Sequence, residues 1–559
     1  FYNLFVNGSR VDDDALTPAP TDFTRSVIYN TYDVTPLIGD TNAIAVTLAP
    51  GYYYAMAQNH ETNVRTTYGF PKMWMRLMLE YADGTSECIV SDESWRLSAD
   101  GAIRYSNIYD GEMCDAGKEH KGMASPGFDD SSWMEAKAVM PPGGALTGNI
   151  TPAMSAYRTE KPHAIRRTSR GWLVDFGTNN AGQLELSLSP AAGDTVTIRY
   201  AEMTEPGDTS LYRANLRSAE STDRFVGDGQ RHTWHAEFVW HGFRYAEITP
   251  HDAVDPASVS RRLVADRMDE RGTAIEFRSG DDIPEKVLAN ARRGIRSNYK
   301  GMPVDCPQRD ERMPWLGDRT TGALGESFMM DNHALYSKWM KDIRECQRDN
   351  GAISDVAPAY WRLYNTNVTW PAALPMICDM LYRQYGDLRP MTESYGAISR
   401  WLQYIKNKSG KDSLLTYDRY GDWCVPPESP DLIHSKDSTR ITDGTLIASC
   451  YYSYICSLME HYAPLTGNGE SGRYFANEAA STRKAINRKF LHDGTYSNST
   501  VTANLLPLAM GIVPEDTEPQ VRGRLVRTIE TDNDCHISAG VIGIQSVSYT
   551  HLTLPTIRL

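Results

Sequence analysis

The sequence predicts a multidomain β + α protein in which two β-sandwiches precede a toroid of paired helices. Three observations carry this prediction. Apolar residues alternate with a period of two through about residue 265, a Pro/Gly-rich passage, "MPPGGALTGNITP" (140–152), interrupts the alternation, and near residue 270 the period lengthens to that of helices. A length of 559 residues leaves room for roughly three or four units, each burying its own core.

In the first unit "TNAIAVTL" sets Ile44, Val46 and Leu48 on one strand face. "MRLMLEYADG" does the same with Met75, Leu77, Leu79 and Tyr81 before an Asp83-Gly84 hairpin turn. The second unit begins after the Pro/Gly passage. There "GQLELSLSPAAGDTVTIRYAE" alternates Leu184, Leu186 and Leu188, turns, and alternates again through Val196, Ile198 and Tyr200, which reads as a second sandwich. The helical part opens with "DDIPEKVLANARRGI", where Asp282 and Glu285 make a capping-box pattern and Ile283, Val287, Leu288, Ala291 and Ile295 form one stripe. Further helices are expected at about 333–349, 372–386, 392–408, 443–462, 471–491 and 517–531, with weaker ones between. The expected domains are 1–152, 153–268 and 269–546, followed by a tail at 547–559.

Composition narrows the function. Hydrophobic residues at 41% and charged residues at 23% are the balance of a folded globular chain. A net charge of -14 argues against nucleic acid, whose binding needs lysines and arginines to displace counterions. No apolar run is long enough to span a bilayer. The nine cysteines are scattered, with no Cys-x-x-Cys pair and no metal-finger spacing, so no metal site is expected. No Walker loop, dinucleotide fingerprint or paired metal-binding histidines occur, and no cofactor is expected. Nothing encodes the oligomeric state. The sequons at Asn367 and Asn498 mean little without a secretory context, and the compartment is open, with periplasm or secretion slightly favoured over cytoplasm.

One segment stands apart. "DCPQRDERMPWLGD" (305–318) packs four carboxylates, two arginines and a tryptophan around two prolines and a glycine. The plainer reading is a loop of solvated ion pairs. The functional one is that Pro307, Pro314 and Gly317 stiffen and turn the backbone so that Trp315 offers a sugar ring a flat apolar face beside fixed carboxylates. Glycosidic hydrolysis needs such carboxylates: one protonates the leaving oxygen, another activates water, and others hold hydroxyls.

The segment closely resembles the signature of the bacterial α-L-rhamnosidases of glycoside hydrolase family 78, Asp-Cys-Pro-x-Arg-Asp-Glu-Arg-x-Gly-Trp-x-Gly-Asp. The likeness extends along the chain. "VIYNTYDVTPLIGDTNAIAVTLAPGYY" resembles that family's amino-terminal sandwich, and "DFGTNNAGQLELSL", "LRSAESTDRF" and "WHGFRYAEI" its second β-domain. "DNHALYSKWMKDIRECQRDNGAISDVAPAYW" and "YGDWCVPP" resemble its (α/α)6-barrel. The resemblance implies an inverting, exo-acting glycosidase that releases terminal α-L-rhamnose from plant glycosides or pectic side chains. It places Glu311 on the general acid and Asp305, Arg309 and Asp318 on residues that bind rhamnose hydroxyls, with Trp315 in the apolar wall. Trp370 and Trp423 fall on pocket aromatics and Asp355 on a sugar-contacting acid. Two departures bear on substrate preference: Pro314 stands where the family commonly has glycine, and Ala372 where many members carry aspartate.

Inversion also needs a water-activating carboxylate, which in that family lies late in the barrel. "HISAGVIGIQ" (536–545) resembles the segment before it, after which "SVSYTHLTLPTIRL" resembles translated adapter sequence. The expectation is therefore a barrel incomplete at its C-terminus, with the general base missing from this fragment, and a fragment of poor activity. Glu326 and Glu428 lie within plausible barrel segments, but neither is expected to serve as the base. His241 is expected to be structural, while Asn215 and Arg217 of "YRANLR" either line a cleft or seal an interface. A lyase or phosphorylase on an α/α-barrel, or a carbohydrate-binding protein without catalysis, are the rival readings.

Overall fold

The computed structural model describes residues 1–54, 67–207, 210–268, 282–536 and 538–545. The expected boundary at 269 and the 547–559 tail lie outside the described residues. The chain divides into two compact units, Phe1–Pro314 and the part from Trp315 onward, so the division falls inside the 305–318 segment.

The first unit is sheet-rich. Its largest sheet has ten strands, eight of them in the order Met154–Glu160, Ser260–Asp266, Trp172–Leu188, His241–Thr249, Thr195–Ala201, Thr222–Val226, Gly111–Asp115 and Ile103–Asn107. The alternation predicted for the second sandwich is what fills its core: Leu184, Leu186 and Leu188 of one strand and Val196, Ile198 and Tyr200 of another are buried in a single cluster with Val174, Phe225, Phe243 and Ile248. Each such aliphatic side chain contributes about 1.5–3 kcal/mol by leaving water. The sheet reaches back across the Pro/Gly passage, because Gly111–Asp115 pairs in parallel with Thr222–Val226. Gly111 makes this approach possible, since a Cβ there would lie 2.2 Å from the Thr222 carbonyl oxygen.

Smaller sheets complete the unit. Ile44–Leu48 pairs with Tyr2–Val6, and Arg76–Glu80 pairs with Ser86–Val90 across the predicted Asp83-Gly84 turn, where Gly84 has φ +84° and Asp83 accepts the Thr85 N–H at 2.9 Å. Helix α1 (Asp282–Ser297) carries Asp282 and Glu285 in its first turn. It packs on Trp172–Leu188 and Ser260–Asp266. Its apolar stripe is buried only toward the C-terminal end: Ile295 is buried, whereas Ile283 and Val287 are exposed.

The second unit is helical: α2 (Leu316–Ser327), α3 (His333–Glu345), α4 (Ala373–Tyr385), α5 (Arg389–Ser409), α6 (Gly444–Leu465), α7 (Gly469–Phe490), α8 (Val501–Ala509) and α9 (Glu518–Arg527). α4 packs against α2, α3 and α5, α6 against α7, and α8 against α9. α6 is buried on almost every side, as its apolar run from Leu446 to Met459 requires. α5 and α7 each end in a hairpin of two-residue strands, Gly410–Lys411 with Leu414–Leu415 and Leu491–His492 with Thr495–Tyr496. None of the described helices is long and apolar enough to cross a membrane. All nine cysteines are free thiols.

Candidate active site

The expected site residues divide between the units: Asp305, Arg309 and Glu311 belong to the first, and Trp315, Asp318, Asp355, Trp370 and Trp423 to the second.

In the first unit the loop from Asp305 to Met313 is closed at its base by one residue. The Asp305 N–H donates to the Met313 carbonyl at 2.9 Å, and Asp305 Oδ1 accepts the Met313 N–H at 2.7 Å. Inside the loop Arg312 has φ +45° and a completely buried side chain. Its guanidinium donates to the carbonyls of Trp240 (3.0 Å), Gln308 (3.1 Å), Arg309 (3.1 Å) and Ile108, and lies 5.3 Å from the centre of the Trp240 ring. Burial holds its pKa below the usual arginine value. Tyr52 donates to the Arg312 carbonyl at 3.1 Å and Tyr109 to that of Glu311 at 3.4 Å. Gly242 lets the loop sit close, since a Cβ there would lie 2.9 Å from Pro307 and Gln308.

The charges left over from this framework form a chain. Asp305 Oδ2 accepts from Arg309 at 2.9 Å, and Arg309 Nε reaches Glu311 Oε2 at 3.0 Å. Arg217 meets the same Glu311 oxygen at 3.0 Å. The Glu311 side chain keeps 14% of its surface exposed and that of Arg309 29%, whereas Asp305 keeps 5%. Asp310 is buried and accepts from the Ser218 hydroxyl at 2.6 Å. His241, as expected, is structural: it is fully buried, stacked on Tyr200 at 4.1 Å, and joined to Ser221 and Asp223 at 3.0 Å each.

In the second unit the expected residues gather around buried carboxylates. Trp315 caps α2 and meets Trp361 edge-on at 6.0 Å, while the Leu316 N–H donates to the Asp355 carbonyl at 2.9 Å. Asp355 is fully buried, and its side chain accepts from Asn365 (2.6 Å), Asn367 (2.6 Å) and Tyr420 (2.7 Å). Burial raises its pKa to about 6 against the opposing pull of those donors. Tyr420 stacks on Trp370 at 4.2 Å and meets Trp423 edge-on at 5.8 Å. Trp370 is nearly buried, and Gly317 must be glycine beneath it, because a Cβ would lie 2.2 Å from the indole. Trp423 is 43% exposed and Asp318 is exposed in the first turn of α2.

Sequence reasoning passed over Tyr420, the ring that joins both tryptophans to Asp355. Its signal was only its place in "DRYGDW", two residues after Asp418, whose carboxylate accepts the N–H groups of Val368, Thr369, Tyr420 and Gly421. Glu326 and Glu428 are both committed elsewhere. Glu326 is buried with Arg319 at 2.6 Å and with Tyr336, and Glu428 holds Ser435 at 2.7 Å and the Lys436 N–H at 3.0 Å. The Asn367 of one sequon is buried.

Comparison with known proteins decides the family. Residues 273–552 match the bacterial alpha-L-rhamnosidase 6 hairpin glycosidase domain, 1–158 the alpha-L-rhamnosidase N-terminal domain and 165–265 the bacterial alpha-L-rhamnosidase concanavalin-like domain. The chain belongs to the bacterial alpha-L-rhamnosidase family. It is 33% identical to an alpha-L-rhamnosidase of Streptomyces avermitilis over 97% of its own length and 51% of that protein, and 29% identical to one of Formosa agariphila over 98% and 59%. Among solved structures, an alpha-L-rhamnosidase from Dictyoglumus thermophilum superposes with TM-score 0.90 at 33% identity, over 99% of this chain and 61% of that one. A Streptomyces avermitilis alpha-L-rhamnosidase complexed with L-rhamnose gives TM-score 0.90 at 31% identity, over 99% and 52%. The chain thus spans about half to three fifths of the length of these rhamnosidases.

Proposed function

We propose that the protein is an inverting, exo-acting α-L-rhamnosidase that removes terminal rhamnose from plant glycosides or pectic side chains, with Glu311 as the general acid. The observation that carries this reading is the setting of Glu311, a partly exposed carboxyl group on a loop whose backbone is fixed by the buried Arg312 and closed by Asp305. Membership of the rhamnosidase family supplies the sugar. A proton donor must be held still relative to the bond it cleaves, and a loop with its carbonyls tied to a buried guanidinium does this.

The remaining residues take two kinds of role in the proposal. By the family resemblance Arg309 and Asp318 are assigned to rhamnose hydroxyls, and Trp315 and Trp423 to the apolar side of the sugar and its 6-methyl group. Asp305, Asp355 and Trp370 act on rhamnose through the residues they hold, Arg309 and Tyr420. The acid gives its proton to the glycosidic oxygen as the C–O bond breaks, and water attacks the opposite face while passing its own proton to a second carboxylate, a role assigned to none of the residues named above, so the sugar leaves with inverted configuration.

The test uses the intact protein and an unactivated α-L-rhamnoside. Glu311→Gln should lower kcat by about 10²- to 10⁴-fold, and proton NMR of the first sugar released by the unaltered enzyme should show the β-anomer. An unaffected rate would remove Glu311 from the mechanism, and the α-anomer would overturn inversion.

A further inference from the structure

We infer that Arg217, contributed by the concanavalin-like sheet region, is a positioning residue that shares the Glu311 carboxyl with Arg309 and directs which oxygen carries the catalytic proton. The inference rests on the reading of Glu311 as general acid.

The contact is built. Arg217 lies at the end of a short 3-10 turn, Ala214–Leu216, in a backbone conformation (φ 58°, ψ -118°) that a residue with a Cβ adopts only under constraint. The constraint comes from both sides of it. Asn215 donates to Glu202 at 2.8 Å, Leu216 is buried, and the Ser218 hydroxyl donates to Asp310 at 2.6 Å, the residue before Glu311. The turn is therefore tied to the acid loop next to the point where Arg217 Nη1 meets Glu311 Oε2 at 3.0 Å and Asp310 Oδ1 at 3.6 Å.

Strain at a polar residue needs a gain elsewhere, and stability is a poor candidate. The Arg217 side chain is 42% exposed, and an ion pair that open to water adds little to folding. The geometry has a better use in proton transfer. Arg309 Nε donates to Oε2, and an Arg217 guanidinium nitrogen lies at the same 3.0 Å from that oxygen. An oxygen facing two cationic donors does not carry the acidic hydrogen, so the proton is assigned to Oε1. When Oε1–H passes its proton to the glycosidic oxygen, the electron pair of the broken C–O bond stays with that oxygen. The carboxylate left behind carries its new charge between two guanidiniums already in place, which stabilises the transition state in which that charge develops.

The experiment compares two substrates, phenyl α-L-rhamnoside, whose leaving group needs the proton, and 2,4-dinitrophenyl α-L-rhamnoside, whose leaving group departs without it. Arg217→Met should lower kcat for the phenyl substrate by about 10- to 100-fold and for the dinitrophenyl substrate by less than about 3-fold. Arg217→Lys, which returns one cationic donor, should recover part of the loss. Glu311→Gln is run beside them. If Glu311→Gln shows the selective loss and both Arg217 variants do not, the inference is overturned while the reading of Glu311 stands. If Glu311→Gln itself shows no selectivity, the reading of Glu311 falls first. Equal losses on both substrates for Arg217→Met and Arg217→Lys would mean a merely structural residue.

Discussion

The acid loop of the first unit and the aromatic shell of the second meet the same difficulty with ions of opposite sign. An irregular segment cannot satisfy its own backbone, and a buried carbonyl or N–H without a partner is costly. At the loop the stranded groups are carbonyls, and a buried arginine, a pure donor, collects them: Gln308 and Arg309 of the loop and Ile108 and Trp240 of the segments against it all give their oxygens to Arg312. In the shell the stranded groups are N–H donors, and buried aspartates, pure acceptors, collect those. Asp418 takes Val368, Thr369, Tyr420 and Gly421, and Asp422 takes Gly540, Ile542 and Gly543. Much of the charge that makes these segments conspicuous in the sequence is therefore construction, and the residues free to do chemistry are the few that the construction displays.

The largest break in this symmetry should come from removing the buried cation. Arg312→Met keeps the length and apolar bulk of the side chain but leaves four carbonyls in a dry setting. The loss should be about 3–5 kcal/mol of folding free energy, read as a shift in the denaturant midpoint without a change in slope. A loss below about 1 kcal/mol would mean that water reaches those carbonyls and that Arg312 is not their anchor.

The anionic side responds to pH. Asp355 has a folded pKa of about 6, raised above the ordinary value of 3.8 by burial. A carboxyl group whose folded pKa is raised binds its proton more tightly in the folded state, so the stability it contributes is full below about pH 4 and is lost as pH rises through about 6. The shift corresponds to about 3 kcal/mol. Asp355→Asn carries no titrating proton, so the stability difference between wild type and variant should move by about that amount between pH 4 and pH 7, in the direction that favours the variant at the higher pH. Parallel stability curves would show that Asp355 is ionised in both states throughout, held so by Asn365, Asn367 and Tyr420.

What the sequence disclosed follows the same division. Local periodicity is legible because it depends on neighbours: Leu184, Leu186 and Leu188, and the stripe that becomes α5 and α6, could be read directly. The hairpin at Asp83-Gly84 was legible because a two-residue turn demands particular residues. The parallel pairing of Gly111–Asp115 with Thr222–Val226 was not, since nothing in either strand names a partner so far along the chain. The α1 stripe was read correctly as apolar but not as half exposed, because a periodic pattern gives a face and not what covers it. At the site the motif disclosed its own charges. It did not disclose Tyr420, or that Arg217, read only as lining a cleft or sealing an interface, reaches Glu311, and it left unsaid that Asp305 and Asp355 have their oxygens occupied by protein donors.

The smallest effect tests the display side of the comparison. Asp422 and Trp423 are adjacent, yet Asp422 is buried under three N–H donors while Trp423 is 43% exposed, touching Tyr420 edge-on at 5.8 Å and His434 at 5.4 Å. If aspartates anchor and rings display, Trp423→Ala should leave the shell intact and cost less than about 1 kcal/mol of stability, as an exposed substitution does. A sugar stacked on the ring would lose about 0.5–1.5 kcal/mol of binding, equivalent to a rise in KM of roughly 2- to 10-fold with kcat unchanged, because a ring that only stacks on the sugar's apolar face holds substrate and transition state equally. A fall in kcat with constant KM would instead make Trp423 part of the framework that orients the reacting sugar, and the boundary between anchor and display would move by one residue.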